Sequence, residues 1–226
     1  EGLQRVGAGA QAPLPCRIDR KTAPLTPAQE RIRFMEDLHP DRSVYNAPAA
    51  QRLTGVFDAE RFEAAFKEII RRQPAMRTRM GTDPHTGQPV QLIAEAVDFS
   101  LPFIDLRGLP ADQREAELAE RMQELADRPI DIHRAPMLHA AVFQLDVHEH
   151  VFVFVPHHLI WDGWSFDLLQ RELSAIYDAA ERGRPHGLAP IATTQGDYAE
   201  WLAHWMKEPS FQDQLDFWLK RFASAP

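Results

Sequence analysis

The chain has a single cysteine, Cys16, among its 226 residues. No internal disulfide is available, which suits a reducing compartment, so a cytoplasmic location is expected. Long hydrophobic runs are missing as well. The longest apolar stretch, Val151 to Pro156, is far too short to cross a bilayer, and no charged-then-apolar leader opens the sequence. No membrane partner is expected. Positive charge is in deficit, with 25 Lys and Arg against 33 Asp and Glu and a net charge of -8, which argues against a phosphate-reading surface and against a nucleic-acid partner. Glycine is outnumbered by proline, 11 to 18, which favours many short elements over a helical array. No internal repeat is visible. What remains is ordinary for a folded domain: 44% hydrophobic and 26% charged residues, enough to build one sizeable core.

Residues 1–24 read as a linker of Gly, Ala and Pro, with order starting at Thr26. Thr26-Pro27-Ala28-Gln29 has the form of a capping box, and the helix that follows is expected to carry Ile32, Met35 and Leu38 on one face. Asp58 caps a second helix, with Phe62, Ala65, Phe66, Ile69 and Ile70 at helical spacing, until Pro74 stops it. Residues 44–54 read as extended, and short strands are expected at 76–80, 89–94 and 99–104, then a charged helix over 111–127. Segments 137–145 and 149–156 read as a β-hairpin. The second is apolar on both faces, which places it centrally in a sheet covered on both sides. Helices are expected over 165–182, 196–206 and 210–222. The mixture of hairpins and helices points to an α/β class, a layered α/β sandwich.

The informative run is His157-His158-Leu159-Ile160-Trp161-Asp162-Gly163, at the end of the buried strand. An imidazole has a reference pKa near ~6.5 and accepts a proton from a substrate at neutral pH. Neighbouring residues of an extended segment point opposite ways, so one histidine faces a cavity and the other is structural. Asp162 lies in the turn, Gly163 allows positive φ or close approach of a substrate, and Ser165 is a plausible helix cap. Two hydrogen-bonded structural histidines remain the plain alternative. A zinc site needs three or four converging ligands; His148 and His150 lie nearby, but neither a Cys pair nor a helical His-x-x-x-His accompanies them, so no metal is expected.

Residues 157–163 match HHxxxDG and resemble the signature of nonribosomal peptide synthetase condensation domains. Leu25 to Phe34 resembles that family's opening helix motif, and Arg71 to Met80 its RHExLRTxF motif, with Gln73-Pro74 in place of His-Glu. Asp197-Tyr198-Ala199-Glu200-Trp201 resembles DYAxW, and Phe217 to Pro226 the segment that closes the N-terminal lobe. The resemblance implies a two-layer α/β sandwich similar to chloramphenicol acetyltransferase, with residues 25–226 forming the N-terminal lobe of a two-lobed domain.

By the same resemblance, His158 is the catalytic residue, orienting or deprotonating the acceptor amine, or stabilising the tetrahedral intermediate. His157 and Asp162 are structural, with Arg77 as the partner of Asp162, and Gly163 lies close to the reacting centre. Trp161 and Trp201 are candidates for the substrate tunnel; Trp164, Trp205 and Trp218 read as core. The implied partners are donor and acceptor carrier-protein domains, which bring substrates on their own phosphopantetheine arms, and the C-terminal lobe. No cofactor is implied on this chain. Arg31, Arg33, Arg71 and Arg72 are candidates for a carrier-facing patch, or else a solvated helix face. Epimerisation, ester formation by a related HHxxxDG acyltransferase, and an inactive scaffolding lobe are the alternatives.

Overall fold

The computed structural model describes residues 16–223, so most of the expected linker and the end of the closing segment Phe217 to Pro226 lie outside the described residues. Order begins earlier than Thr26. Strand β1 (Thr22–Pro24) pairs with a later strand, and Arg20 forms an ion pair with Asp197 at 3.2 Å. The linker therefore does not extend to residue 24: its last residues have partners remote in sequence, which composition does not disclose.

Helix α1 (Pro27–Leu38) starts at the capping box formed by Thr26 and Gln29. Its buried residues are Gln29 and Glu36, not the expected apolar face; Met35 and Leu38 are exposed and Ile32 is half-buried. β2 (Ala49–Thr54) leads to α2 (Ala59–Arg72), which Asp58 caps and which buries all five expected apolar residues. Pro74 opens a 3-10 turn, Pro74–Arg77, which moves β3 to Thr78–Thr82. Then come β4 (Pro89–Ile93), β5 (Phe103–Asp105) and α3 (Ala111–Asp127). The hairpin is β6 (Leu138–Asp146) and β7 (Glu149–Pro156). α4 (Gly163–Glu181), α5 (Gln195–Trp205) and α6 (Pro209–Phe222) complete the chain.

Two sheets result, with orders β1-β4-β3 and β2-β7-β6-β5. In the larger one β7 lies between β2 and β6, both antiparallel to it, while β5 adds in parallel to β6. The two-residue side-chain period of a strand splits β7 between two cores. Phe152 and Phe154 join Leu138, Ala140 and Val142 under α2 and α4. Val151, Val153 and Val155 join Ala141, Phe143 and Leu145 on the other face, with Leu118 of α3, Met80 and Ile132. The expected layers of sheet and helix are present, and the second face is covered as β7's composition requires. Burying each such side chain is worth about 1.5–3 kcal/mol, so the end of β7 is a firm platform for whatever follows it.

Two of the tryptophans assigned to the core lie outside it: Trp164 is 83% exposed and Trp218 is 52% exposed. Trp201 and Trp205 are half-buried and stack on each other at 5.7 Å and 6°. Aromatic content predicts burial only on average, and these rings sit on helix faces with little of this chain above them.

Candidate active site

Beyond Pro156 the chain keeps strand-like partners for two more residues. His157 N donates to Met137 O at 3.0 Å and His158 N to Tyr45 O at 2.9 Å. The two side chains diverge: His157 is buried, at 1% exposure, while His158 is exposed. A tight turn follows, closed by Ile160 N donating to His157 O at 3.0 Å. Gln29 of α1 clamps that turn, donating Nε2 to Leu159 O at 2.9 Å.

Among the described residues the ring of His158 makes one hydrogen bond, Nδ1 to Trp161 O at 3.1 Å. A carbonyl only accepts, so in the neutral ring Nδ1 carries the hydrogen and Nε2 keeps its lone pair. His158 lines an open cleft of about 180 Å³ with Thr26, Gln29, Trp161, Asp162 and Gln195. The starts of α1, α4 and α5 therefore converge on it, and the site combines an oriented, exposed imidazole with open space beside it.

His157 has the opposite tautomer. Its Nδ1 accepts from Leu159 N at 3.1 Å, which leaves the hydrogen on Nε2. Burial, reinforced by the neighbouring His158, pushes its pKa down to about 4. At neutral pH the ring is uncharged, so the 3.6 Å approach of Nε2 to Glu36 Oε1 is a long dipolar contact and not an ion pair.

Asp162 and Arg77 do not meet, contrary to expectation. Asp162 is exposed and caps α4: it accepts from Ser165 N at 3.0 Å and from Ser165 Oγ at 2.6 Å. Ser165, expected as the cap, is its reciprocal partner three residues on. Arg77 is buried elsewhere, donating to the carbonyls of Ala94 and Glu95; burial lowers its pKa, and Arg71 adds to the effect. Gly163 has no positive φ, and a Cβ there would meet nothing within 4 Å, so no strain within this chain demands glycine.

Trp161 sits at the cleft with its indole edge-on to Phe154 at 4.9 Å and to Phe166 at 5.3 Å. It also walls a small apolar cavity of about 70 Å³ with Ile69, Met76 and Leu169. Trp201 is not among the residues lining the cleft. Its motif works through Asp197, which accepts from Thr194 N and Oγ1, from Arg17 N and from Arg20. Burial raises that carboxylate's pKa, but these donors outweigh it and hold the value low. Gln73, the departure from the second motif, donates to Glu172 Oε2 at 2.9 Å beside the ion pair of half-buried Arg72 with buried Glu172. With Arg33 on Asp37 and Arg71 on Glu68, three of the four arginines weighed as a docking patch are already paired. Sequence reasoning misses the clamp by Gln29 and the placement of Glu36 beside His157. Gln29 is visible only as a helix signal, and nothing local marks Glu36. Among the described residues no group of three or more His, Cys, Asp or Glu is placed to hold a metal ion, and no helix is long and apolar enough to cross a membrane.

The chain is thus a layered α/β fold with an oriented, exposed histidine at the end of its central strand. The family model "Condensation domain" matches residues 19–226, and the chain belongs to that family. It is 38% identical to one of the linear gramicidin synthase proteins of Brevibacillus parabrevis over 89% of this chain and 4% of that protein. It is 33% identical to the phosphinothricin tripeptide synthetase PhsC of Streptomyces viridochromogenes over 92% of this chain and 19% of that protein. The starter condensation domain of rhizomide synthetase RzmA superposes with a TM-score of 0.80 at 23% identity, covering 92% of this chain and 49% of that one. The X-domain solved in complex with OxyB from teicoplanin biosynthesis gives 0.79 at 27% identity, covering 97% and 47%. The chain thus spans a small part of the curated synthetases and about half of the solved domains.

Proposed function

We propose that this chain is the N-terminal lobe of an amide-forming condensation domain in a nonribosomal peptide synthetase, with His158 as its working base. The observation that carries the reading is the His158 ring: exposed in a cleft, with Nδ1 committed to the Trp161 carbonyl and Nε2 free to take a proton. The acceptor amine attacks the donor thioester carbon, and Nε2 takes the proton shed by the nitrogen. The tetrahedral intermediate collapses, the C–S bond breaks, and the departing thiolate receives that proton, leaving an amide and a free thiol. Both substrates arrive on phosphopantetheine arms of carrier domains. No cofactor is assigned to this chain, and the C-terminal lobe supplies the other wall of the tunnel.

Asp162 serves by starting α4, and Trp161 shapes the cleft beside His158. Gly163 leaves open space where a side chain would otherwise intrude on bound substrate. A cytoplasmic setting fits a chain whose one cysteine is free. A binding-only role is the second reading, favoured by the likeness to the X-domain solved with OxyB; the complete His157-His158…Asp162-Gly163 run favours chemistry. The complete domain, supplied with a donor carrier and an acceptor carrier loaded with either an amine or an alcohol, separates these readings by the product. An amide only with the amine acceptor supports the proposal. An ester, an epimerised donor, or no turnover by a folded domain refutes it.

A further inference from the structure

The face of α1 turned to the core is mostly polar, with only half-buried Ile32 packed on the core between two buried polar residues. Its buried residues are Gln29 and Glu36, whereas a helix packed on a core ordinarily buries an apolar stripe. Seven residues is close to two turns, so both lie on nearly one line along the helix. Both reach the histidine turn. Gln29 Nε2 holds the Leu159 carbonyl at 2.9 Å, and Glu36 Oε1 lies 3.6 Å from His157 Nε2. Glu36 is 5% exposed; its backbone carbonyl accepts from His39 N, and its carboxyl borders an open recess. The Nε2 of His157 is sealed and has no hydrogen-bond partner among the described residues, while its Nδ1 is taken by Leu159 N. A sealed ring N–H left without an acceptor is costly, and the Glu36 carboxyl lies beside it. A closure of roughly half an ångström brings them to hydrogen-bond length.

We propose that Glu36 is a positioning residue of this site: its carboxyl oxygen accepts the Nε2–H of His157, fixes that ring, and through the His157–Leu159 bond sets the turn that presents His158. The proposal rests on His158 being the base. An acidic recess lies on the outer side of Glu36, lined by Asp37, Asp41, Asp131 and His133, with Arg33 paired to Asp37. Burial, with Asp37 next, raises the pKa of Glu36. Either ionisation state offers an oxygen to Nε2–H, so the contact does not depend on which one is populated.

The test uses the 15N-labelled chain, whose long-range proton–nitrogen spectra report ring tautomers, together with turnover by the complete domain. In the native chain and in Glu36→Gln, which keeps an acceptor oxygen, His157 carries Nε2–H with its ring proton protected from exchange. In Glu36→Leu that protection is lost and His158 leaves its Nδ1–H tautomer. kcat then falls about tenfold with KM unchanged, within the ~100-fold that an ångström-scale misplacement costs, and Glu36→Gln retains at least about half the native kcat. An Nδ1–H tautomer at His157 in the native chain overturns the proposal. So do unchanged rings in Glu36→Leu, or a Gln variant as impaired as Leu. If the Leu variant does not fold, the native and Gln spectra still decide, because loss of the protected ring proton in either sinks the idea. Altered rings with unaltered kcat would instead refute the base role of His158.

Discussion

Replacing Asp162 with alanine separates two structural roles for the residue by magnitude. A buried aspartate stripped from an arginine partner would cost about 3–5 kcal/mol. The structure gives Asp162 a smaller role. It is exposed and holds the first turn of the 19-residue helix α4 through Ser165 N and Oγ. Losing an N-cap costs about 1 kcal/mol, and losing a negative charge at a helix N-terminus about 0.5 kcal/mol. The expected total is ~1.5 kcal/mol, or roughly 3–6 °C in Tm for a domain of this size. Asp162→Asn keeps the capping oxygen and gives back the larger share. Urea and thermal unfolding of the two variants measure this directly. A loss above about 3 kcal/mol, or a coupling of more than about 1 kcal/mol between Asp162→Ala and Arg77→Met in a double-mutant cycle, refutes the capping account and restores the ion pair.

Acid should unfold the chain partly through His157. Its folded ring titrates at about 4 against an ordinary value of 6.5, so on acidification the unfolded state takes the proton first. The contribution is whole above about 6.5 and is lost as pH falls to about 4, on the order of 3 kcal/mol. Glu36, whose pKa burial raises, acts in the opposite direction. A His157→Gln variant whose stability falls with acid as steeply as the native chain contradicts the assignment. Glu172→Ala leaves the half-buried Arg72 and the Gln73 amide without their carboxylate and should cost about 2 kcal/mol in chemical denaturation. A loss below about 1 kcal/mol shows that water already serves those donors.

Periodicity carries most of the fold. The five apolar residues of α2, the doubly buried β7 and the ends of α3 are all legible because each depends on spacing within one element. Where partners come from afar, the sequence misleads. β1 is hidden in a Gly- and Pro-containing stretch because its pairing partner, β4, lies some seventy residues on. In α1, Ile32, Met35 and Leu38 look like a core stripe, while the buried face is given to Gln29 and Glu36, whose partners sit on a loop more than a hundred residues away. At the site the opposed histidines follow from strand alternation. The capping role of Asp162 is local and readable, yet the expected arginine partner obscures it. The 3-10 turn after Pro74 carries Arg77 to carbonyls at the end of β4, and sequence spacing does not foresee that.

The central claim is that the free Nε2 of His158 accepts the proton released as the amide forms. Single-turnover amide formation by the complete domain, native against His158→Ala, with loaded carriers and with folding checked by melting temperature, tests it most directly. The predicted result is a loss of about 10²–10⁴-fold in rate with Tm held within a degree or so. Amide formation within about threefold of native by the folded variant would contradict it.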